Sequence, residues 1–334
     1  MKRFRDFTEN ITEEEYRASK RISYSFLKEF SEKGPSVIID GIPEISTKYL
    51  TLGSVVDKLL TEPNYDPTKE YYVTDVVLDL SKSTHSSKII GYLIDNKIID
   101  VDFDILREIC STLGFKRLPD LKDSNLWKQI NVVTRQNKGE QIITSNELEL
   151  AYKMADSFKN HKFTKEIFLE EDDYFEDVEI LNQAKIFFKL YGVECKVMSD
   201  KIIINHDKKI ITPIDIKTGS FFNFLSNFYK YKYYLQAPMY HAAIQSVVVK
   251  EFPDYKVDGF SFAYISRERP DLPLLYKLSD KEIEKAFVGW TNSYGTYQKG
   301  VQDLIRDYSW HIENDEYTLS RDLVENNGVT NIIL

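Results

Sequence analysis

Apolar and polar positions follow two periods along this chain, and the change from one to the other divides it. In RISYSFLKEF, Ser23 stands ahead of Phe26, Leu27 and Phe30, a spacing that predicts an N-capped amphipathic helix broken by Gly34 to Ser36. In TKYLTLGSVVDKLL, Leu52, Val55, Val56, Leu59 and Leu60 recur at helical intervals until Pro63. Residues 64–140 are polar and mixed, with short helical pieces at IIGYLIDNKI and FDILREICSTLGF, and are expected to form an inserted lobe. Thr144 and Glu147, three apart, form a capping box ahead of Leu148, Ala151, Met154, Ala155 and Phe158. Beyond Val178 short β-prone runs take over.

The stretch KIFFKLYGVECKVMSDKIIINHDKKIITPIDIKTG is the most informative. Asn-His-Asp-Lys-Lys between two β-branched runs predicts a hairpin, and a four-residue loop at His206 to Lys209 sets Asn205 opposite Ile210. In that register Asp200 faces Asp215 across the strands, with Cβ atoms about 5 Å apart on one face. Side chains alternate, so Lys217 shares the face of Asp215, and a regular strand would add Glu194, Lys196 and Met198 to the face of Asp200. Pro213 marks an edge or bulge, because it has no N–H for a ladder. From Ile216 to Lys250 there is no Asp or Glu, and Lys230 and Lys232 lie among Tyr229, Tyr231, Tyr233 and Tyr234, a composition suited to a polyanion and stacked bases. DGFSFAYISRE alternates like a half-buried strand, and the region through Trp310 and His311 reads as helical.

Composition narrows the chemistry. With 44 Lys+Arg against 53 Asp+Glu, the net charge of −9 argues against coating nucleic acid through bulk charge but permits a local groove whose acids hold a hard cation. The two cysteines, Cys110 and Cys195, form no CxxC, and the five histidines show no HxxxH or HExxH, so thiolate and helical zinc sites are excluded and any metal must rest on carboxylates. No window is long and apolar enough for a membrane span, and MKRFRDFTENITEEEY lacks the apolar core of a secretory signal, so a soluble, intracellular protein is expected.

Asp215-x-Lys217 alone is a weak signal; its neighbourhood raises it. Together, Ser23-Tyr24-Ser25-Phe26-Leu27, Gly53-Ser54-Val55-Val56-Asp57, GVECKVMSD ending in Asp200, IDIKTG with Asp215, Lys217 and Thr218, and LQAPMY with Gln236 and Tyr240 resemble the PD-(D/E)XK nucleases of the RecB-like branch, particularly phage exonucleases that work beside strand-annealing recombinases. The resemblance spans about residues 20 to 270, and Asp57 stands where those relatives usually carry histidine.

That resemblance implies an α/β fold with a restriction-endonuclease-like core, a mixed central sheet flanked by helices, and an inserted helical lobe. Residues 1–63 and 141–334 would then form the nuclease core, with 64–140 as the insertion. Asp200, Asp215 and Lys217 would be catalytic, while Asp57, Asp200, Asp215 and the Ile216 carbonyl would hold Mg²⁺ or Mn²⁺. Glu194, Lys196, Thr218, Lys230, Lys232, Gln236 and Tyr240 are the candidate substrate contacts. The implied activity is metal-dependent DNA hydrolysis, exonucleolytic by analogy, in phage or mobile-element recombination and in the cytoplasm of a bacterial host. DNA and a strand-annealing recombinase are the implied partners, with an oligomer possible. The alternatives are a catalytically silent DNA-binding or recombination-accessory protein of this fold, and an enzyme acting on RNA or branched junctions.

Overall fold

Two hydroxyls start the N-terminal helices. Thr12 caps α1 (Glu13–Ala18) by accepting from the Glu15 amide at 3.1 Å, and Ser23 caps α2 (Tyr24–Lys33) through the Phe26 amide at 3.3 Å. Gly34, at φ 83°, ends α2 as its sequence requires, and the short α3 (Val37–Asp40) follows. The structure, a computed structural model, describes residues 2–42, 48–78, 80–81, 83–115, 120, 122–169, 177–293 and 295–329.

The chain divides into two compact units. One comprises residues 48–59 and 63–153, wider at both ends than the lobe expected over 64–140. It holds most of α4 (Lys48–Thr61), then β1 (Tyr71–Thr74), α5 (His85–Asp95), α6 (Phe103–Thr112), α7 (Ser124–Asn137) and β2 (Gln141–Thr144), which pairs in parallel with β1. Ile89, Ile90 and Leu93 of α5, Leu106, Ile109 and Cys110 of α6, and Leu126, Ile130 and Val133 of α7 bury one core. The expected box begins α8 (Ser145–Asn160): Thr144 Oγ1 donates to Glu147 at 2.8 Å and accepts from its amide at 3.2 Å.

The other unit, residues 1–47, 60–62 and 154–334, is built on a mixed sheet. Its strands are β3 (Val178–Leu190), β4 (Val193–Asn205) and β5 (Ile210–Gly219), then, after α9 (Phe224–Lys230) and α10 (Tyr233–Glu251), β6 (Lys256–Val257), β7 (Phe260–Ser266) and β8 (Leu274–Leu278). Helix α11 (Asp280–Val288), a two-residue pair β9 (Trp290–Thr291) and β10 (Tyr297–Gln298), α12 (Val301–Asn314) and α13 (Arg321–Glu325) complete it. The order is β3-β4-β5-β7-β8, antiparallel except that β5 runs parallel to β7, with β6 also parallel beside β5. A parallel pair needs a crossover, and α9 with α10 supplies it. Leu235, Met239, Ile244 and Val248 of α10 pack with Ile202 and Ile204 of β4, Leu27 and Phe30 of α2, and Leu304 and Ile305 of α12 in a shared core.

One strand expectation needs correction, and a second is met by one of its two alternatives. DGFSFAYISRE is not half-buried: every residue of β7 is buried, because it lies between β5 and β8 in the sheet interior. Pro213 sits at no edge but at an irregularity of the bulge kind expected: it pairs with Ile202 in β4, and on its other side β5 passes from Ile211↔Val257 to Ile214↔Ser261, three residues against four. Among the described residues, no helix is long and apolar enough to cross a membrane.

Candidate active site

The hairpin at His206 to Lys209 sets the site. β4 and β5 pair Asn205 with Ile210 and continue to Lys201 with Ile214, the register anticipated above, and Asp200 and Asp215 come next. There the strands fork. From Ile214 onward β5 pairs with β7, and the Asp200 carboxylate takes the place of a β4 carbonyl, accepting from the Ile216 amide at 2.7 Å.

Asp200 is also where β4 leaves the β3 ladder. Pairing runs from Val178↔Asn205 to Leu190↔Val193 but omits Gln183, which would face Asp200 and instead adopts φ 50°, uncommon for a residue with a Cβ. The core face changes parity across this break, from Cys195 and Val197 on one side to Ile202 and Ile204 on the other. Asp200 therefore shares the face of Ile202 and Ile204, the one that meets α10. Neither strand gains a residue there, since the pairs on both sides keep one register, so the change of face comes with the left-handed backbone at Gln183 and not from an inserted residue.

The same break removes Glu194 and Lys196 from this group, correcting the assumption of a regular strand. Glu194 lies six residues, about 20 Å of extended chain, from Asp200 and pairs with Lys189 at 2.9 Å and Arg21 at 3.6 Å. Lys196 is buried, and its ammonium donates to the carbonyls of Tyr16 (2.7 Å), Arg17 (3.2 Å) and Ser19 (2.7 Å) at the end of α1. These contacts account fully for a buried cation, so no role at the carboxylates is needed.

Around Asp215 the polar groups converge. Its carboxylate is ion-paired with Lys217, two residues along the same strand face, and accepts from Gln236 Nε2 of α10 at 2.5 Å. Lys217 also lies 5.0 Å from the Tyr233 ring centre. Burial raises the Asp215 carboxyl above its ordinary value, against the pull of Lys217, Gln236 and Asp200. For Lys217 burial works downward, but Asp215, Tyr233 and Asp200 outweigh it and raise the ammonium, which stays charged. Tyr24 and Tyr240 are pushed well up, first by burial and then by neighbours that include Asp215, so both phenols stay neutral near the carboxylates. The Tyr24 hydroxyl donates to the Tyr231 carbonyl. Asp215 is 1% exposed, whereas Asp200 and the Lys217 side chain, 19% exposed, keep solvent contact.

Other candidates lie further out. Thr218 faces opposite Lys217 by strand alternation. Lys230 is exposed, 5.1 Å over the Tyr231 ring. Lys232, left-handed at φ 54° between α9 and α10, donates to Ser31 Oγ at 2.8 Å, and burial lowers its pKa. Asp57 lies on α4 in the other compact unit. Cys195 is buried and its thiol is pushed up to about 12 by burial, consistent with a structural role. Sequence reasoning missed two of the groups around the carboxylates as site residues: Tyr24, which appeared only within a motif, and Tyr233, which appeared only as one of an aromatic run.

Among the described residues, no three His, Cys, Asp or Glu side chains gather as a metal cage. The donors at the fork are nonetheless hard oxygens: two carboxylates and the Ile216 carbonyl. Such a set suits Mg²⁺, which binds through one or two carboxylates and otherwise keeps water or substrate phosphate. Charge agrees, since Asp200 and Asp215 against Lys217 leave an excess negative charge.

No protein-family model matches this sequence, and no curated protein matches it. Among solved structures, one from Eubacterium rectale described as a "Putative exonuclease" is similar at 11% identity over 98% of this chain and 96% of that chain, with a TM-score of 0.46.

Proposed function

We propose that this protein is a metal-dependent phosphodiesterase acting on DNA. The observation that carries the reading is the fork of β4 and β5, which gathers Asp200, Asp215 and Lys217 at one point. Asp200, Asp215 and the Ile216 carbonyl would hold Mg²⁺ or Mn²⁺. Bound there, the ion would screen phosphate charge and lower the pKa of a coordinated water. Lys217, a fixed cation beside the carboxylates, would hold the attacking water or a non-bridging phosphate oxygen in place. Gln236 keeps the Asp215 carboxylate oriented from the helix side. The motif resemblance supports exonuclease action in phage or mobile-element recombination, with a strand-annealing recombinase as partner, in a bacterial cytoplasm.

The test is degradation of linear DNA with Mg²⁺ or Mn²⁺ by wild type, Asp215→Asn and Lys217→Ala. Each substitution is expected to lower the rate by about a hundredfold or more while a gel shift of the same DNA persists. Mn²⁺ titration calorimetry on Asp200→Asn supplies a readout independent of turnover, with binding expected to weaken. A wild type that shifts DNA but never shortens it under either metal would leave a binding protein. Circular, nicked, blunt and single-stranded substrates then separate end-dependent from internal cleavage.

A further inference from the structure

Immediately after β5 the chain puts large apolar side chains into solvent. Phe221 is 66% exposed, Leu225 56%, Tyr229 63% and Tyr231 39%. Leu225 and Tyr229 stand four apart on α9 and so share one face, while Phe224, on the opposite side, is buried against Phe262 and Tyr276. The buried face of α9 explains the helix, while Leu225 and Tyr229 on the other face stand exposed.

Just past α9, Tyr231 connects this segment to the carboxylate site. Tyr231 lies 5.8 Å from Tyr233, ring centre to ring centre, and Lys217 lies over Tyr233. Cations accompany the rings: Lys230 over Tyr231 at 5.1 Å and Arg269 over Phe222 at 5.9 Å. No acid occurs from Ile216 to Lys250 in a chain that carries a net charge of −9. Acids from elsewhere do approach: Glu268, engaged by the Phe222 amide at 2.9 Å, and Asp271, paired with Arg269 at 3.4 Å, which leaves half of the Arg269 side chain exposed.

We propose that this strip is a stacking platform for the unpaired bases of a single DNA strand, whose adjoining phosphate is delivered to Lys217. Bases offer π-faces irrespective of sequence and phosphates meet the lysine and arginine, which is how aromatic and cationic residues combine on single-strand binders. A duplex hides those faces, so the platform selects strands that are single or frayed at the end. The inference rests on the reading above for the identity of the polymer, but binding is measured without cleavage.

The test is fluorescence anisotropy, without divalent metal, of labelled oligothymidylate, an abasic strand of equal length and a duplex. Wild type is expected to bind oligothymidylate about tenfold or more tighter than the abasic strand. The double variant Phe222→Ser, Tyr229→Ser is expected to lose that margin while its abasic binding stays the same; both side chains are partly exposed, and circular dichroism checks the fold. Equal binding of abasic and oligothymidylate strands by wild type would overturn the platform, as would unchanged binding by the variant. So would a dimer that the variant splits without loss of strand binding, since the patch would then join two copies of this chain. If wild type never cleaves DNA yet shows the margin, the nuclease reading fails alone; if it cleaves and shows no margin, only the platform fails.

Discussion

At the scale of single residues, one buried carboxylate outside the site shows how much a fully satisfied charge contributes. Glu179 of β3 is buried and accepts from the amides of Phe4 (2.8 Å) and Arg5 (2.9 Å) and from Arg5 Nε (3.0 Å), with His206 Nε2 at 3.3 Å. Burial alone would raise its pKa, but the Arg5 and Phe4 amides and the Arg5 guanidinium outweigh it and hold the carboxyl below the ordinary 4.5. A depressed carboxyl stabilises fully above its unfolded value, and that contribution is lost as pH falls through the folded one. Glu179→Gln is therefore expected to cost about 1.5–3 kcal/mol near neutrality, with the gap to wild type closing under acid. Urea denaturation at several pH values measures it; a gap that widens toward low pH would refute the assignment.

Elements meet here through a few side chains whose loss cannot be absorbed locally. Lys196 joins β4 to the end of α1 by satisfying three carbonyls, so Lys196→Met should strand them and lower stability by about 2–3 kcal/mol, read from the denaturant midpoint. Gly219 closes β5, and a Cβ there would overlap the hydroxyl of Tyr264. That ring is buried and cannot swing aside: its hydroxyl donates to the Phe221 carbonyl and accepts from Asn227 Nδ2 at 3.2 Å. Gly219→Ala is expected to destabilise by about 1–3 kcal/mol, with a matching drop in thermal midpoint, whereas a neutral outcome would show that β5 ends more loosely.

For the whole molecule, the central sheet of the larger unit should be the last part to open. β7 is paired on both sides and buried throughout, so its amides are expected to exchange hydrogen only with global unfolding, while those of the two-residue pair β9 and β10 exchange sooner. Hydrogen exchange read by mass spectrometry checks the ranking. Fast exchange across Phe262 to Ile265 would place the stable centre elsewhere.

What was legible in the chain was local. Ser23, the Thr144–Glu147 box and the four-residue turn after Asn205 act over a few residues, so spacing alone determined three helix or hairpin boundaries and the register that brings Asp215 beside Asp200. Tertiary structure decided the rest, because it depends on groups far apart in sequence. Whether Lys196 points to a ligand or to the end of α1 is set by residues about 180 positions away. The change of face at Gln183 and Asp200 needs both strands, and the nearness of Tyr24 to Asp215 needs α2 packed beside α10. Side-chain alternation holds only while a strand stays regular, and it broke at the residue on which the candidate chemistry turns.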